Sequence, residues 1–215
     1  MNKLKNINVL LSNFWQGQPK SGSMISFKNI NTPFNKINDI PNINITNNIE
    51  KTFFKTNENI YKYCHKEQIN NNIPLLIGGD HSIALGSVAA TLKTNPNSYV
   101  IWVDAHADLN TRESSISGNF HGMPVSFLTG LDKSNFNFPK LKFSNIIYIG
   151  LRDIDDFEKY QLKNHNILYY TSNDVRTKGI ANILKNIKTI VQNNPVHLSL
   201  DVDGIDPFYI PSTGT

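Results

Sequence analysis

Three apolar runs in this 215-residue chain end directly at segments rich in aspartate and histidine. Apolar runs of about five residues, separated by helical patterns, are typical of parallel strands that are buried on both faces. In open α/β sheets, ligands bind at the carboxyl ends of such strands. The runs at 74–77, 99–103 and 196–200 are followed by the segments Gly78-Gly79-Asp80-His81-Ser82, Asp104-Ala105-His106-Ala107-Asp108 and Asp201-Val202-Asp203-Gly204-Ile205-Asp206-Pro207.

The rest of the chain alternates between strand and helix patterns. Strands that alternate with helices favour an α/β fold, in which a mostly parallel sheet lies between two helical layers. We therefore expect one three-layer α/β/α domain over residues 1–215, although residues 24–48 give no assignable pattern. Further strands are predicted at 5–11, 145–149 and 167–170, and helices at 50–70, at 83–93 with Ser82 as the cap, at 124–128, at 155–164 and within 173–193.

Composition excludes several classes of protein. The net charge is +4, but only three of the 21 basic residues are Arg and the lysines are scattered, so no nucleic-acid partner is expected. No apolar run approaches the roughly 20 residues that span a bilayer, and the N-terminus shows no leader pattern. Cys64 is the single cysteine and cannot form an internal disulfide. We expect a cytoplasmic protein without a membrane partner.

The acidic segments predict a metal site. In extended chain, residues two apart point the same way, so Asp104, His106 and Asp108 should converge, as should Asp201 and Asp203 from another strand. Several carboxylates without a cation would repel one another and lose hydration. A ligand set rich in oxygen, with some imidazole and no thiolate, favours Mn²⁺ over structural Zn²⁺. With His81, the groups exceed what one ion needs, which favours two bridged ions.

These segments resemble, in the same order, the three metal-binding motifs of the ureohydrolases, the binuclear manganese family of arginase and agmatinase. Residues 108–111 and 117–124 are similar to arginase rather than to agmatinase, and the resemblance runs from about Leu75 to Thr215. It implies an arginase-like fold and two Mn²⁺ per chain. One ion would be held by His81, Asp104, Asp108 and Asp201, and the other by Asp104, His106, Asp201 and Asp203, with Asp104 and Asp201 bridging.

The resemblance also implies a reaction and its substrate residues. A hydroxide bridging the two ions would attack the guanidinium carbon of L-arginine and give L-ornithine and urea, with Asp108 counted among the catalytic residues. His121 would shuttle a proton. Asn110 and Ser117 would bind the α-carboxylate of the substrate, and Asp155 would lie near its α-amino group. A homo-oligomer, a trimer in the family, is the expected assembly.

Three questions stay open at the level of sequence. The substrate could be agmatine or a related guanidino compound, or the chain could be a non-catalytic relative that binds a metal or an amino acid. Asp80 could orient His81 or cap the following helix.

Family members continue past the segment matched by residues 213–215 with more sheet and helix. We therefore expect a C-terminally truncated arginase fragment that by itself hydrolyses arginine poorly or not at all.

Overall fold

The computed structural model describes residues 6–17, 37–41, 48–134 and 137–211, and every structural statement refers to them. Much of the unassigned 24–48 region lies outside these ranges, and so does the start of the first predicted strand. Seven strands occur in the described part: β1 (Ile7–Ser12), β2 (Ile37–Asp39), β3 (Ile73–Gly78), β4 (Tyr99–Val103), β5 (Ile146–Leu151), β6 (Leu168–Thr171) and β7 (Val196–Leu200). The α-helices there are α1 (Ile49–Ile69), α2 (Ala84–Thr94), α3 (Pro124–Thr129), α4 (Asp156–Asn164), α5 (Ser172–Lys178) and α6 (Ile180–Val191).

All of the strand pairs are parallel, as predicted, but the described strands form two sheets instead of one. The first sheet has the order β2-β1-β3, and the second has the order β6-β5-β4-β7. β4 lies in the middle of the second sheet, with Val100 opposite Ile146 of β5 on one side and His197 of β7 on the other. The carboxyl end of β4 is therefore flanked by the carboxyl ends of two neighbouring strands.

The second sheet is covered on both faces, which gives the expected three layers. Successive residues of β4 point to opposite faces. Val100 and Trp102 belong to the core that contains residues of α1, α2 and α3. Ile101 and Val103 face a second core, where Ile183 and Ile187 of α6 pack. Helices on both faces explain why the strands read as continuous apolar runs.

One local prediction was wrong. Ser82 does not cap a helix: the side chain of Asp80 instead accepts the N–H of Ser82, at the start of a 3₁₀ turn that leads into α2. The helix predicted within 173–193 is α6, and Gly179, with a φ of 76°, separates it from the short helix α5. Ile183, Ile187 and Val191 of its apolar face are buried, whereas Ile180 and Leu184 are 46% and 47% exposed.

The described helices include none that is long and apolar enough to cross a membrane.

Helices α1 and α2 pack so closely at Gly86 that a side chain has no room there. The N–H of Gly86 donates to Asn57 Oδ1 at 2.8 Å, and a Cβ at Gly86 would lie 2.4 Å from the backbone oxygen of Asn57. We expect Gly86→Ala to lower the free energy of unfolding by about 1–3 kcal/mol through overpacking, although alanine favours helix by about 1 kcal/mol over glycine. Urea denaturation measures the change.

The matched control is Lys185→Ala on the exposed surface of α6. Its free energy of unfolding should stay within about 0.5 kcal/mol of the parent chain. Equal stability of Gly86→Ala and the parent would contradict the close packing described for α1 and α2.

Candidate active site

A cluster of two carboxylates and one imidazole lies where β3 and β4 end. His81 Nδ1 is 2.7 Å from Asp104 Oδ2 and 3.1 Å from Asp108 Oδ2. The other ring nitrogen of His81 is 2.8 Å from Ser199 Oγ in β7, which fixes the orientation of the ring. All three side chains are buried, and one ligand atom from each lies within 4.8 Å of the others. We call His81, Asp104 and Asp108 the inner cluster.

A second group, the outer cluster, consists of Asp104, His106 and Asp203. His106 Nδ1 lies 3.4 Å from Asp104 Oδ1 and 3.4 Å from Asp203 Oδ2. Asp203 Oδ1 also accepts the N–H of Ala105 at 3.2 Å, which joins the end of β7 to the end of β4. Because Asp104 directs one oxygen to each cluster, the two groups share a carboxylate.

Asp201 lies beside the inner cluster. Its Oδ2 is 3.5 Å from His81 Nδ1, and its Oδ1 accepts the N–H of Asp203 at 3.2 Å. The two groupings that lie within 4.8 Å in the described part of the chain do not include Asp201. The structure therefore brings Asp201 to the site, and the bridging role that the resemblance implies stays a prediction.

The residues converge for a different reason from the one that the sequence suggested. The extended chain ends at Val103, and residues 104–106 form a bend. Asp108 adopts a left-handed backbone conformation with φ of 52°, which turns its side chain back toward the inner cluster. Asp203 lies in a 3₁₀ turn at Val202–Gly204 whose N-cap is Asp201. The prediction that alternating residues of a strand extension converge was thus wrong in its geometry.

The charges of the two clusters are strongly coupled. Burial would raise the pKa of Asp104, but hydrogen bonds with His106 and His81 hold it well below its usual range. Burial and the negative charge of Asp104 raise the pKa of Asp108. Hydrogen bonding with Asp104 and Asp203 raises the pKa of His106 to about 11. Protons on the imidazoles therefore balance the carboxylates when no other cation does.

The donor set fits a divalent cation. Asp108 Oδ2 is buried and has no hydrogen-bond partner in the described part of the chain, although it faces His81. A buried carboxylate oxygen without a donor is costly unless a cation or a proton satisfies it. Carboxylate oxygens combined with imidazole, without thiolate, are the ligands of Mn²⁺ and similar ions. The inner and outer clusters therefore have the chemistry of a metal centre with a shared ligand.

A hydrogen-bond donor and an acceptor lie together two residues beyond Asp108 of the inner cluster. Asn110 Nδ2 donates to Asp155 Oδ2 at 2.6 Å, and Ser114 Oγ donates to Asn110 Oδ1 at 2.8 Å, which fixes the orientation of the amide. Ser117 lies in the exposed part of the same loop, where its hydroxyl accepts the N–H of Asn119 at 3.3 Å. The structure thus brings Asn110 and Asp155 into contact, and it places Ser117 further along the loop.

His121 lies on a 3₁₀ turn whose backbone rests on the segment after β1. Its N–H donates to the oxygen of Gly17 at 3.2 Å, and the N–H of Gly17 donates to Asp80 Oδ2 at 2.8 Å. Burial and the positive charge of His106 lower the pKa of His121. Asp80 accepts hydrogen bonds from Gly17 and Ser82, so of the two roles considered for it the structure favours capping.

Glu158 is one of the residues at this site that sequence reasoning missed, as are Trp102 and Ser199, which contact Asp104 and His81. Glu158 is only 4% exposed, and its Oε1 accepts the N–H of Leu109 at 3.0 Å. Burial raises the pKa of Glu158 to about 7. The spacing of Asp155 and Glu158 is the signature of a capping box, and this was the signal in the sequence. The contact with Leu109 spans 49 residues and has no sequence signal.

Comparisons with known proteins agree on one family. Residues 17–215 match the Arginase family. The chain is 46% identical to an arginase of Staphylococcus aureus over 165 residues, which cover 74% of this chain and 55% of that protein. It is 32% identical to mouse arginase-1 over an alignment of 243 positions that covers 99% of this chain and 75% of the relative.

A solved structure is similar as well. The arginase of Entamoeba histolytica in complex with L-ornithine superposes with a TM-score of 0.88 at 30% identity, and the match covers 99% of this chain and 81% of that one. This likeness agrees with the expected arginase-like α/β fold. The chain spans about half the length of the first of these curated relatives.

The raised pKa of His106 can be tested in the metal-free protein. Because this pKa is about 11, His106 keeps its proton as the pH rises, and its imidazole signals should not move between about pH 6 and 9. Asp203→Asn removes one of the two carboxylates that hold the proton, so the pKa of His106 should fall. An NMR titration of the histidine rings measures both effects.

Asp206→Asn is the matched control, because Asp206 serves a turn in which its Oδ1 accepts the N–H of Phe208. It should leave the titration of His106 unchanged. A His106 ring that titrates near pH 6.5 in the parent chain would contradict the electrostatics described for the outer cluster.

Proposed function

The chain belongs to the arginase family, and on this premise we propose that the complete protein hydrolyses L-arginine to L-ornithine and urea with two Mn²⁺. The observation that carries the proposal is the shared carboxylate of Asp104, which faces a histidine of each cluster. One ion would be held by His81, Asp104, Asp108 and Asp201, and the other by Asp104, His106, Asp201 and Asp203. When bound, two divalent ions lower the pKa of water enough to supply a nucleophile near neutral pH.

His121 is the residue that we assign to proton transfer. The nitrogen that leaves the guanidinium carbon needs a proton to become a good leaving group. Burial lowers the pKa of His121 below its usual value, so its protonated ring is a stronger acid than an exposed histidine. The hydrogen bond from the backbone N–H of His121 to the oxygen of Gly17 holds the turn that carries this ring.

The contact between Asn110 and Asp155 supports an α-amino acid as the substrate. The amide N–H of Asn110 can donate to a carboxylate, and the carboxylate of Asp155 can accept from an ammonium group. The two side chains are hydrogen-bonded to each other at 2.6 Å, so a zwitterionic head group that inserts between them finds both partners side by side. Ser117 in the same loop would add a second donor to the substrate carboxylate. Agmatine has no carboxylate, and it would leave Asn110 without this partner.

One domain over residues 1–215 is part of the same proposal. The core that contains Leu10 near the start of the described chain also contains Ile167 beyond α4, so widely separated segments share one interior. The trimeric assembly that the resemblance implies and the cytoplasmic location that the composition favours stay predictions.

The shared carboxylate predicts how metal binding depends on single residues. The parent chain should bind about two Mn²⁺, because the two clusters together provide a two-metal site. Asp104→Asn should abolish binding at both sites, whereas Asp203→Asn should remove only the outer one. Dialysis against Mn²⁺ followed by elemental analysis gives the stoichiometry. Asp206→Asn should keep both ions, and a parent chain that binds none would contradict the proposed centre.

The role of Asn110 predicts a change in substrate preference. A hydrogen bond to a charged group contributes about 1.5–3 kcal/mol, so Asn110→Ala should raise the KM for L-arginine by about 10- to 100-fold. The turnover of agmatine by the same variant should differ little from that of the parent protein. Steady-state kinetics on the product of the complete gene, loaded with Mn²⁺, provide the values.

The matched control for Asn110→Ala is Asn97→Ala, in the exposed turn before β4. It should leave KM and turnover unchanged for both substrates. Equal turnover of agmatine and L-arginine by the parent protein would assign the chain to a different ureohydrolase activity. No urea from either substrate would favour a non-catalytic relative.

A further inference from the structure

The proposed ligand Asp108 has a left-handed backbone conformation, with φ of 52°. Residues with a Cβ rarely adopt this region, although aspartate does so more often than most. Such a conformation costs about 1–3 kcal/mol and persists only where the surrounding structure enforces it. The contacts around residues 107–109 therefore show what holds this ligand in place.

Two of these contacts come from the core side of the loop. The buried Tyr148 of β5 donates its hydroxyl to the oxygen of Ala107 at 2.7 Å. The N–H of Val125 in α3 donates to the oxygen of Asp108 at 3.1 Å. These two hydrogen bonds fix the carbonyl groups on both sides of the Asp108 Cα. The next backbone group along the chain is the N–H of Leu109.

Glu158 of α4 accepts the N–H of Leu109 and also a second backbone N–H. Its Oε1 accepts the N–H of Leu109 at 3.0 Å, and its Oε2 accepts the N–H of Asp155 at 3.4 Å. Asp155 Oδ1 accepts the N–H of Glu158 in return, which completes the capping box of α4. The two oxygens of one carboxylate thus bind the loop that carries Asp108 and the residue that contacts Asn110.

An ordinary capping box does not require this arrangement. Helix α5 has the same motif, formed by Thr171 and Asp174, and there the acidic side chain forms an ion pair with Lys178 at 2.7 Å. Glu158 is instead 4% exposed and has no cationic partner among its hydrogen bonds in the described chain. Burying a carboxylate is costly, so its place between the two loops needs a reason beyond capping.

We propose that Glu158 is a positioning residue that couples the proposed metal centre to the proposed substrate site. Through Leu109 it holds Asp108 left-handed, with its carboxylate facing His81, and through the capping box it holds Asp155 against Asn110. The inference rests on the proposed function in that Asp108 is a metal ligand and Asp155 a substrate residue. The backbone arrangement itself does not depend on that function.

The test compares Glu158→Ala, Glu158→Gln and the control Asp174→Ala in the 215-residue chain. Isothermal titration with Mn²⁺ measures metal affinity, NMR hydrogen exchange measures protection of the Leu109 amide, and thermal melting measures stability. Glu158→Ala should weaken the binding of Mn²⁺ by about tenfold or more, as is typical for residues that orient a metal ligand. It should also speed exchange at Leu109 by about tenfold or more, because the local hydrogen bond is lost.

The two other variants separate positioning from stability. Asp174→Ala also breaks a capping box, but it should leave Mn²⁺ affinity and Leu109 exchange within about twofold of the parent, because each cap acts on its own helix. Glu158→Gln keeps one carbonyl oxygen and the volume of the side chain. It should restore part of the Mn²⁺ affinity and Leu109 protection that alanine loses.

The outcomes separate the inference from the proposed function. If the parent binds Mn²⁺ and Glu158→Ala binds it as the control does, the inference is overturned and the metal centre stands. If the parent binds no Mn²⁺, the proposed function is overturned, and Leu109 decides the backbone role: faster exchange in Glu158→Ala alone supports it, and unchanged exchange overturns it.

Discussion

The buried carboxylate of Asp104 is the interaction on which the rest of the site depends. It lies at the end of the central strand β4, is 1% exposed, and accepts hydrogen bonds from the indole N–H of Trp102 and the backbone N–H of His106. These two donors leave each of its oxygens facing one histidine. A carboxylate in such a place is stable only when donors and positive charge surround it. β4 and the segment after it supply Trp102 and His106, and the segment after β3 supplies His81.

This constraint explains why the polar residues come from three strands. His81 follows β3, Asp104 follows β4, and Asp203 follows β7. These residues are far apart in sequence, and they meet because the parallel strands bring their carboxyl ends together. The neighbouring contacts then reinforce one another. Ser199 fixes the ring of His81, and Asp203 joins its own turn to the bend after β4 through Ala105. Loss of any one element would leave buried charge without a partner.

The sequence predicted the regular elements well, because their signals are local. The strands at 99–103 and 196–200 have the predicted bounds, since each apolar run ends sharply at an aspartate. Prediction failed where long-range contacts decide the conformation. The left-handed turn at Asp108 depends on Tyr148, Val125 and Glu158, which lie up to 50 residues away in sequence. No local sequence pattern predicts these contacts. β3 and β7 likewise belong to different sheets. The sheet that a strand joins depends on its pairing partners, and hydrophobic periodicity does not specify those partners.

Glu158 shows why local rules fail most at sites of this kind. Taken separately, a buried carboxylate is unfavourable, and a left-handed backbone is uncommon for a residue with a Cβ. Judged together, each removes part of the cost of the other: the left-handed turn points the Leu109 N–H toward Glu158, and that N–H satisfies the buried carboxylate. The same side chain completes the capping box of α4, so the pair of Asp155 and Asn110 is joined to the turn that carries Asp108. One side chain thereby connects two loops that are remote in sequence, and a metal ligand and a substrate partner need such support from surrounding residues to be placed precisely.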